Sequence, residues 1–247
     1  MSCRFLTTVS LVCVLTPCIA AEPDANVERE LKVALAAADA AVKANPNDLA
    51  ALQNRGDAHF FLGQFDEAVL DYDKMLALEP QLGPKHWQRG LALHFAGRYD
   101  DAAKQFERYY ELDKSDRENG IWRFYAHVEK NGVEAARKAL LPYTQPDREP
   151  LPIVYRLCEG KATPEDVLKS VDGDAPATEQ QKRRFYADLY VGLDAAIVRD
   201  DPAAARSLLE RAVQNDWPRE AGYGPTYMWH IARLSLARLE AERPRTP

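Results

Sequence analysis

The sequence predicts an all-α fold, a solenoid of stacked antiparallel helix pairs followed by a helical C-terminal extension. Three observations carry that prediction. Residues 54–80 read NRGDAHFFLGQFDEAVLDYDKMLALEP, and 34 residues later the chain repeats the pattern as QRGLALHFAGRYDDAAKQFERYYELDK over 88–114. Within each copy the apolar residues recur at helical spacing, and glycine or proline stands where a helix must stop. The later chain carries helix signals of the same kind, as in Thr163-Pro164-Glu165-Asp166, an N-cap residue followed by proline and two acids.

In chain order, MSCR, the apolar run FLTTVSLVCVL and PCIAA form the charged start, short apolar core and small-residue end of an export signal over 1–20. Cleavage after Ala20 or Ala21 both suit it. Removing Arg4 changes the net charge from −6 to −7. A lipid anchor at Cys18 is disfavoured by Pro17 directly before it. No later stretch approaches the roughly 20 apolar residues of a membrane span. Cys3, Cys13 and Cys18 leave with the signal, so Cys158 has no partner for a disulfide and reads as a small buried apolar residue. Residues 26–48 form a helix ending at Pro46, half of a pair, suited to cap the stack. Residues 21–142 are thus an array of this helix and about three repeats.

The repeated positions have physical reasons. Arg55, Gly56, Gly63, Phe65, Asp66, Ala68 and Tyr72 return as Arg89, Gly90, Gly97, Tyr99, Asp100, Ala102 and Phe106. Gly56 and Gly90 fall inside helices, where glycine costs about 1 kcal/mol relative to alanine. That cost is explained if a neighbouring helix approaches closely there. Ala68 and Ala102 do the same on the second helix, and Phe65 and Tyr99 wedge between the two. Pro80 separates one unit from the next. A weaker third copy carries Arg123, Val133, Ala136 and Leu140. Asp71 is placed to pair with Arg55, but Gln105 and Ala139 replace it in the later copies. Arg55-Gly56-Asp57 spells a cell-adhesion triplet, yet it lies inside a helix and two of its residues belong to the repeat.

This pattern resembles the tetratricopeptide repeat over residues 26–142, a helix–turn–helix unit of 34 residues that stacks because one unit cannot bury its apolar face alone. More weakly, the RG-type repeats, the segment LPIVYRLCEGKATPEDVL and a late helix pair resemble the NlpI-like exported repeat proteins of bacterial envelopes. That resemblance implies an adaptor joining cell-wall hydrolases to a protease.

Residues 143–247 form a helical region of their own. PYTQPDREPLP over 142–152 reads as an irregular crossing, IVYRLCEG as a short helix, and DGDAPAT over 172–178 as a loop. RRFYADLYVGLDAAIVRDDPAAARSLLERAV is a degenerate fourth helix pair, with Gly192, Ala205, Leu209 and Ala212 in repeat phase. TYMWHIARLSLARLE over 226–240 closes the chain, with Met228, Ile231, Ala232 and Leu239 on one face.

The chain is 46% hydrophobic and 28% charged with a net charge of −6, a soluble composition with no basic face for nucleic acid. No catalytic motif, metal-ligand spacing or cofactor loop is present in the sequence. Enzyme chemistry would need polar residues of the C-terminal region, such as Arg183, Arg184, Asp188 and His230, to converge.

Within the resemblance, the first helix of each unit lines a concave groove. That row is Gln53, Asp57 and Phe60, then Trp87, Leu91 and His94, then Ile121, Tyr125 and Val128. It holds no Lys or Arg, so it lacks the basic clamp that some members use for an acidic tail. Its aromatic and apolar content suits a protein or peptide segment with apolar anchors. The row is expected to be open to a partner; the alternative is that it is filled by residues 143–160 or by the last helix. The favoured function is an exported scaffold binding a protein or peptide partner in the cell envelope, with no cofactor. Self-assembly into a homodimer through exposed helix faces is the competing reading.

Overall fold

The structure is a computed structural model and describes residues 23–241. The expected export signal, Cys3, Cys13, Cys18 and the tail RPRTP lie outside these residues. Among the described residues every regular element is helical. The chain opens with α1 (Pro23–Ala44), two residues beyond which stands Pro46. Three helix pairs follow: α2 (Leu49–Phe61) with α3 (Phe65–Leu78), α4 (Trp87–Phe95) with α5 (Tyr99–Leu112), and α6 (Arg117–Asn131) with the short α7 (Val133–Lys138). A 3₁₀ turn over Pro80–Lys85 links the first two pairs, where the sequence shows only a stop.

The helix pairs close as the glycines require. A Cβ on Gly56 would stand 2.5 Å from Cε1 of Tyr72, and one on Gly90 would stand 2.6 Å from Cζ of Phe106. Both rings are buried, and each such ring contributes about 1.5–3 kcal/mol through burial. Gly63 and Gly97 turn each pair with φ of +78° and +74°, a region open to glycine at no steric cost. In the third unit Phe124 stands at the phase of Gly56 and Gly90, and the close approach falls one turn earlier, at Gly120, whose Cβ would stand 2.6 Å from Tyr143 of the following crossing.

The three repeated arginines share one role despite their different partners. Arg55 grips Asp71 through Nε at 2.9 Å and Nη2 at 2.6 Å. Arg89 donates to Gln105 at 3.1 Å and also to Asp73 at 2.6 Å. Arg123 donates to the carbonyl oxygen of Ala139. Each partner at this offset lies sixteen residues on, so the arginine ties the two helices of its unit through a carboxylate, an amide or a backbone carbonyl.

The remaining helices are α8 (Leu151–Cys158), α9 (Pro164–Ser170), α10 (Ala177–Ile197), α11 (Pro202–Gln214), α12 (Trp217–Glu220) and α13 (Tyr223–Ala241). Thr163 caps α9 in a reciprocal box with Asp166, as the sequence signals. Cys158 is buried and free, and burial pushes its thiol well above the ordinary range. The late pair α10–α11 packs like a repeat unit, with Ala205, Leu209 and Ala212 fully buried and Gly192 against Leu209. Helix α13 packs on α11 and then returns to the array.

Candidate functional site

The row expected to line an open groove is occupied by the chain itself. Phe60, Leu91, Ile121 and Tyr125 are fully buried, and Asp57, His94 and Val128 nearly so. Helix α13 lies along the row. Tyr223 Oη donates to Asp57 Oδ2 at 2.7 Å and accepts from Gln53 at 3.2 Å and Gln88 at 3.1 Å. The Tyr227 ring stacks on Phe60 with centroids 4.9 Å apart and meets Trp87 edge-on, also at 4.9 Å. His230 stacks on Phe61 at 3.9 Å. Farther along, α10 covers the third unit, and Tyr125 Oη donates to the carbonyl oxygen of Tyr190 at 3.1 Å. The open groove therefore gives way to the filled one, and the last helix is the main occupant. The physical reason is that the row is apolar and aromatic, and α13 carries a matching apolar face within reach.

Filling the row leaves cavities along the seam between the array and the C-terminal helices, among them one at each end of α4 and α6. The first is a recess of about 420 Å³ at the N-terminal ends of α4 and α6, where α10, α12 and α13 come alongside. Trp87, Leu91, Tyr109, Trp122, Tyr186 and Trp217 form its apolar walls. Trp87 and Leu91 belong to the expected row; Tyr109, Tyr186 and Trp217 do not. Trp217 is held by a tilted contact to Phe185 and an edge contact to Tyr186, with centroids 6.1 and 6.0 Å away.

A charged wall completes the recess. Asp116 caps α6, accepting from the Glu118 backbone N–H at 3.1 Å and from Asn119 Nδ2 at 2.9 Å. Glu118 accepts from both the Arg148 guanidinium and Tyr190 Oη. Arg148 also lies 3.5 Å from Asp116 and 3.4 Å from Asp147. Burial pushes the Glu118 carboxyl up, and the charge of Arg148 draws it back only in part. Burial also works against the charge on Arg148, but Glu118, Asp116 and Asp147 more than offset it and hold the guanidinium ionised. Tyr109 is pushed up to about 12, by burial first and then by the charges of Asp116 and Asp113. The wall is thus internally paired, and the aromatic walls are left to meet a ligand.

The four residues that an enzyme reading would bring together stay apart. Arg183 donates to Glu179 at 2.9 Å, Arg184 pairs with Asp172, and Asp188 is held by Arg211. His230 lies under α2, its pKa pushed down to about 3 by burial and then by Arg233. Among the described residues no group of three or more His, Cys, Asp or Glu is placed to hold a metal ion. No helix there is long and apolar enough to cross a membrane.

Residues 49–82, which span α2, α3 and the start of the 3₁₀ turn, match the tetratricopeptide repeat family. The chain thus carries a tetratricopeptide repeat. The chain is also similar to curated relatives. It is 28% identical over 112 residues to small glutamine-rich tetratricopeptide repeat-containing protein 2 of Mycosarcoma maydis, covering 45% of this chain and 29% of that protein. It is 28% identical over 111 residues to Hsp70-Hsp90 organizing protein 3 of Arabidopsis thaliana, covering 44% of this chain and 19% of that one. The chain thus spans less than a third of the length of either relative. A crystal structure of a tetratricopeptide repeat protein from Parabacteroides merdae aligns with a TM-score of 0.47 at 14% identity, over 84% of this chain and 80% of that one.

Proposed function

We propose that this repeat protein is an exported scaffold that binds a protein partner by seating a short partner segment in the aromatic recess. The observation that carries this reading is the recess itself. Once α13 has filled the row, a cavity of about 420 Å³ remains, walled by Trp87, Tyr109, Tyr186 and Trp217. Tryptophan and tyrosine supply most of the energy in protein interfaces, and a volume of this order takes one or two anchor side chains. The name of the Arabidopsis relative describes a protein that organises Hsp70 and Hsp90, which supports a scaffold role for repeats of this type. Export rests on the signal-like order of residues 1–20, and with it an envelope partner.

Gly224 supplies a gentle test. It lines the recess, and a Cβ there would meet nothing within 4 Å, so the side chain of Gly224→Leu starts in open space beside the recess. Peptides selected from a displayed library against residues 21–247 are expected to carry aromatic or aliphatic anchors. Their affinity for Gly224→Leu is expected to fall at least about tenfold, the scale of one lost hot-spot anchor. A library that yields no binder, or binders indifferent to Gly224→Leu, overturns the assignment.

A further inference from the structure

The charged wall of the recess turns on Glu118. Its carboxylate accepts from Arg148 Nη2 and from Tyr190 Oη, and so joins three segments: its own helix α6, the irregular crossing that carries Arg148, and α10. The neighbouring acids are held differently. Asp116 accepts from the backbone N–H of Glu118 at 3.1 Å, and Asp147 from those of Arg117 at 2.9 Å and Arg148 at 2.7 Å. The guanidinium of Arg148 is divided accordingly. Its Nη1 lies 3.5 Å from Asp116 and 3.4 Å from Asp147, while its Nη2 serves Glu118.

The surroundings leave this wall rich in acid. Asp116, Glu118 and Asp147 stand against Arg148 and Arg117, which lies 3.9 Å from Asp147. Asp113, at the end of α5, adds negative charge at Asp116. Lys182 of α10 lines the recess but is engaged with Glu179 at 3.2 Å. The other titratable groups here are phenols, Tyr109 from α5 and Tyr186 and Tyr190 from α10, and α13 presents the Met228 sulfur to Tyr190. Burial pushes both Glu118 and Asp116 up; Arg148 opposes the shift and the neighbouring acids add to it. Asp116 is tied down as the cap of α6, whereas Glu118 accepts from two side chains that can turn elsewhere.

A proton on Glu118 strands Nη2 of Arg148. Asp116 and Asp147 still serve Nη1, but a guanidinium N–H that loses its acceptor has to find water. Arg148 lines the recess and its side chain is 35% exposed, so the recess is a source of that water. Hydration there competes with an apolar anchor for the same space.

We propose that partner binding in the recess is regulated by protonation of Glu118: the ionised carboxylate holds Arg148 to the wall and leaves the aromatic space to the partner, and the protonated one lets Arg148 go. The inference rests on the recess being the partner site. The partner binds the ionised form, so affinity is full well above the folded-state pKa of Glu118 and is lost as pH falls through it.

Two measurements test this in the full chain. The carboxyl carbon of Glu118, labelled with carbon-13 and assigned by its loss in Glu118→Gln, is expected to titrate above the ordinary glutamate value of 4.5, with the Arg148 Nε–H resonance moving in step. Peptides selected at pH 7.5, free of Asp, Glu and His and amidated at the C-terminus, are expected to bind at least about twofold more weakly at pH 4.5, the loss reached at the midpoint of a single linked proton. The circular-dichroism spectrum is expected to be the same at both pH values. Glu118→Gln cannot ionise, and its affinity is expected to stay level across this window. Peptide binding that ignores pH in the wild-type chain overturns the regulation alone, as does an equal fall in Glu118→Gln or a fall that accompanies loss of helical signal. A Glu118 carboxyl that titrates without moving Arg148 also overturns it. The absence of any selected peptide overturns the partner site itself, and the regulation with it.

Discussion

Asp57 joins the array to the last helix, and its replacement tests how α13 is held. The carboxylate accepts from Tyr72 Oη at 2.6 Å, Tyr223 Oη at 2.7 Å and Gln53 Nε2 at 2.8 Å. Asp57→Ala removes all three acceptor contacts, but the three donors suffer unequally. Tyr223 and Gln53 are partly exposed and can turn to water. Tyr72 is fully buried and keeps only a 3.4 Å contact with Tyr227. A stranded buried donor costs about 1–3 kcal/mol. Against this, burial raises the Asp57 pKa despite the three hydrogen bonds, so its ionised form is itself disfavoured and removal recovers part of the loss. The expected net cost near neutral pH is about 1–2 kcal/mol. Asp57→Asn keeps an acceptor and drops the charge, so it is expected to cost less. A folded-state pKa above the unfolded value means that the folded chain binds this proton more tightly. The stabilisation is then full below about pH 4 and is lost as pH rises through the folded-state pKa. Urea unfolding followed by circular dichroism from pH 4 to 8 reads this as a fall in wild-type stability relative to Asp57→Asn. A rise across that window refutes the reasoning. A cost below about 0.5 kcal/mol for Asp57→Ala also refutes it, by showing that Tyr72 does not depend on this acceptor.

Two further outcomes follow from the packing. Gly90→Ala gains about 1 kcal/mol of helix propensity but drives a methyl into Phe106, where overpacking costs about 1–3 kcal/mol. A net loss in thermal unfolding is expected, relieved in the double variant with Phe106→Leu; a gain in stability would show that the helices do not approach this closely. Cys158 is expected to resist iodoacetamide in the native chain at pH 8 and to react once urea unfolds it, because the thiol is buried and its pKa is raised. Mass spectrometry reads both states, and rapid native alkylation would contradict the burial.

What the sequence made legible was local. The close approach at Gly56 and Gly90 and the cap at Thr163 follow from spacing along one or two helices, and spacing is what a repeat displays; that the rings meeting those glycines are Tyr72 and Phe106 does not. The role of Arg55, Arg89 and Arg123 was half visible: the offset was plain, but an acceptor as unspecific as the Ala139 carbonyl has no side-chain signature. The filling of the row was beyond reach because Phe60, Leu91 and Tyr125 would look the same facing a partner or facing α13. The recess was hidden for a related reason. Arg148 comes from the irregular crossing and Trp217 from a four-residue helix, segments with no periodicity to read. Their only sequence signal is aromatic density around Phe185–Tyr190 and at Trp217.

The return of α13 to α2 also changes how the array responds to rearrangement. Open solenoids behave as nearly one-dimensional chains, in which each unit senses its neighbours and units can be added or lost with graded effect. Here Gln53 and Asp57 are bonded to a tyrosine some 170 positions away, so the first unit and the last helix must come together in register. An added repeat, tolerable in an open stack, would shift α2 away from Tyr223 and Tyr227 and uncover Phe60. The number of repeats is thereby fixed by the closing helix, and unfolding is expected to be a single cooperative transition of the whole chain rather than a fraying from one end.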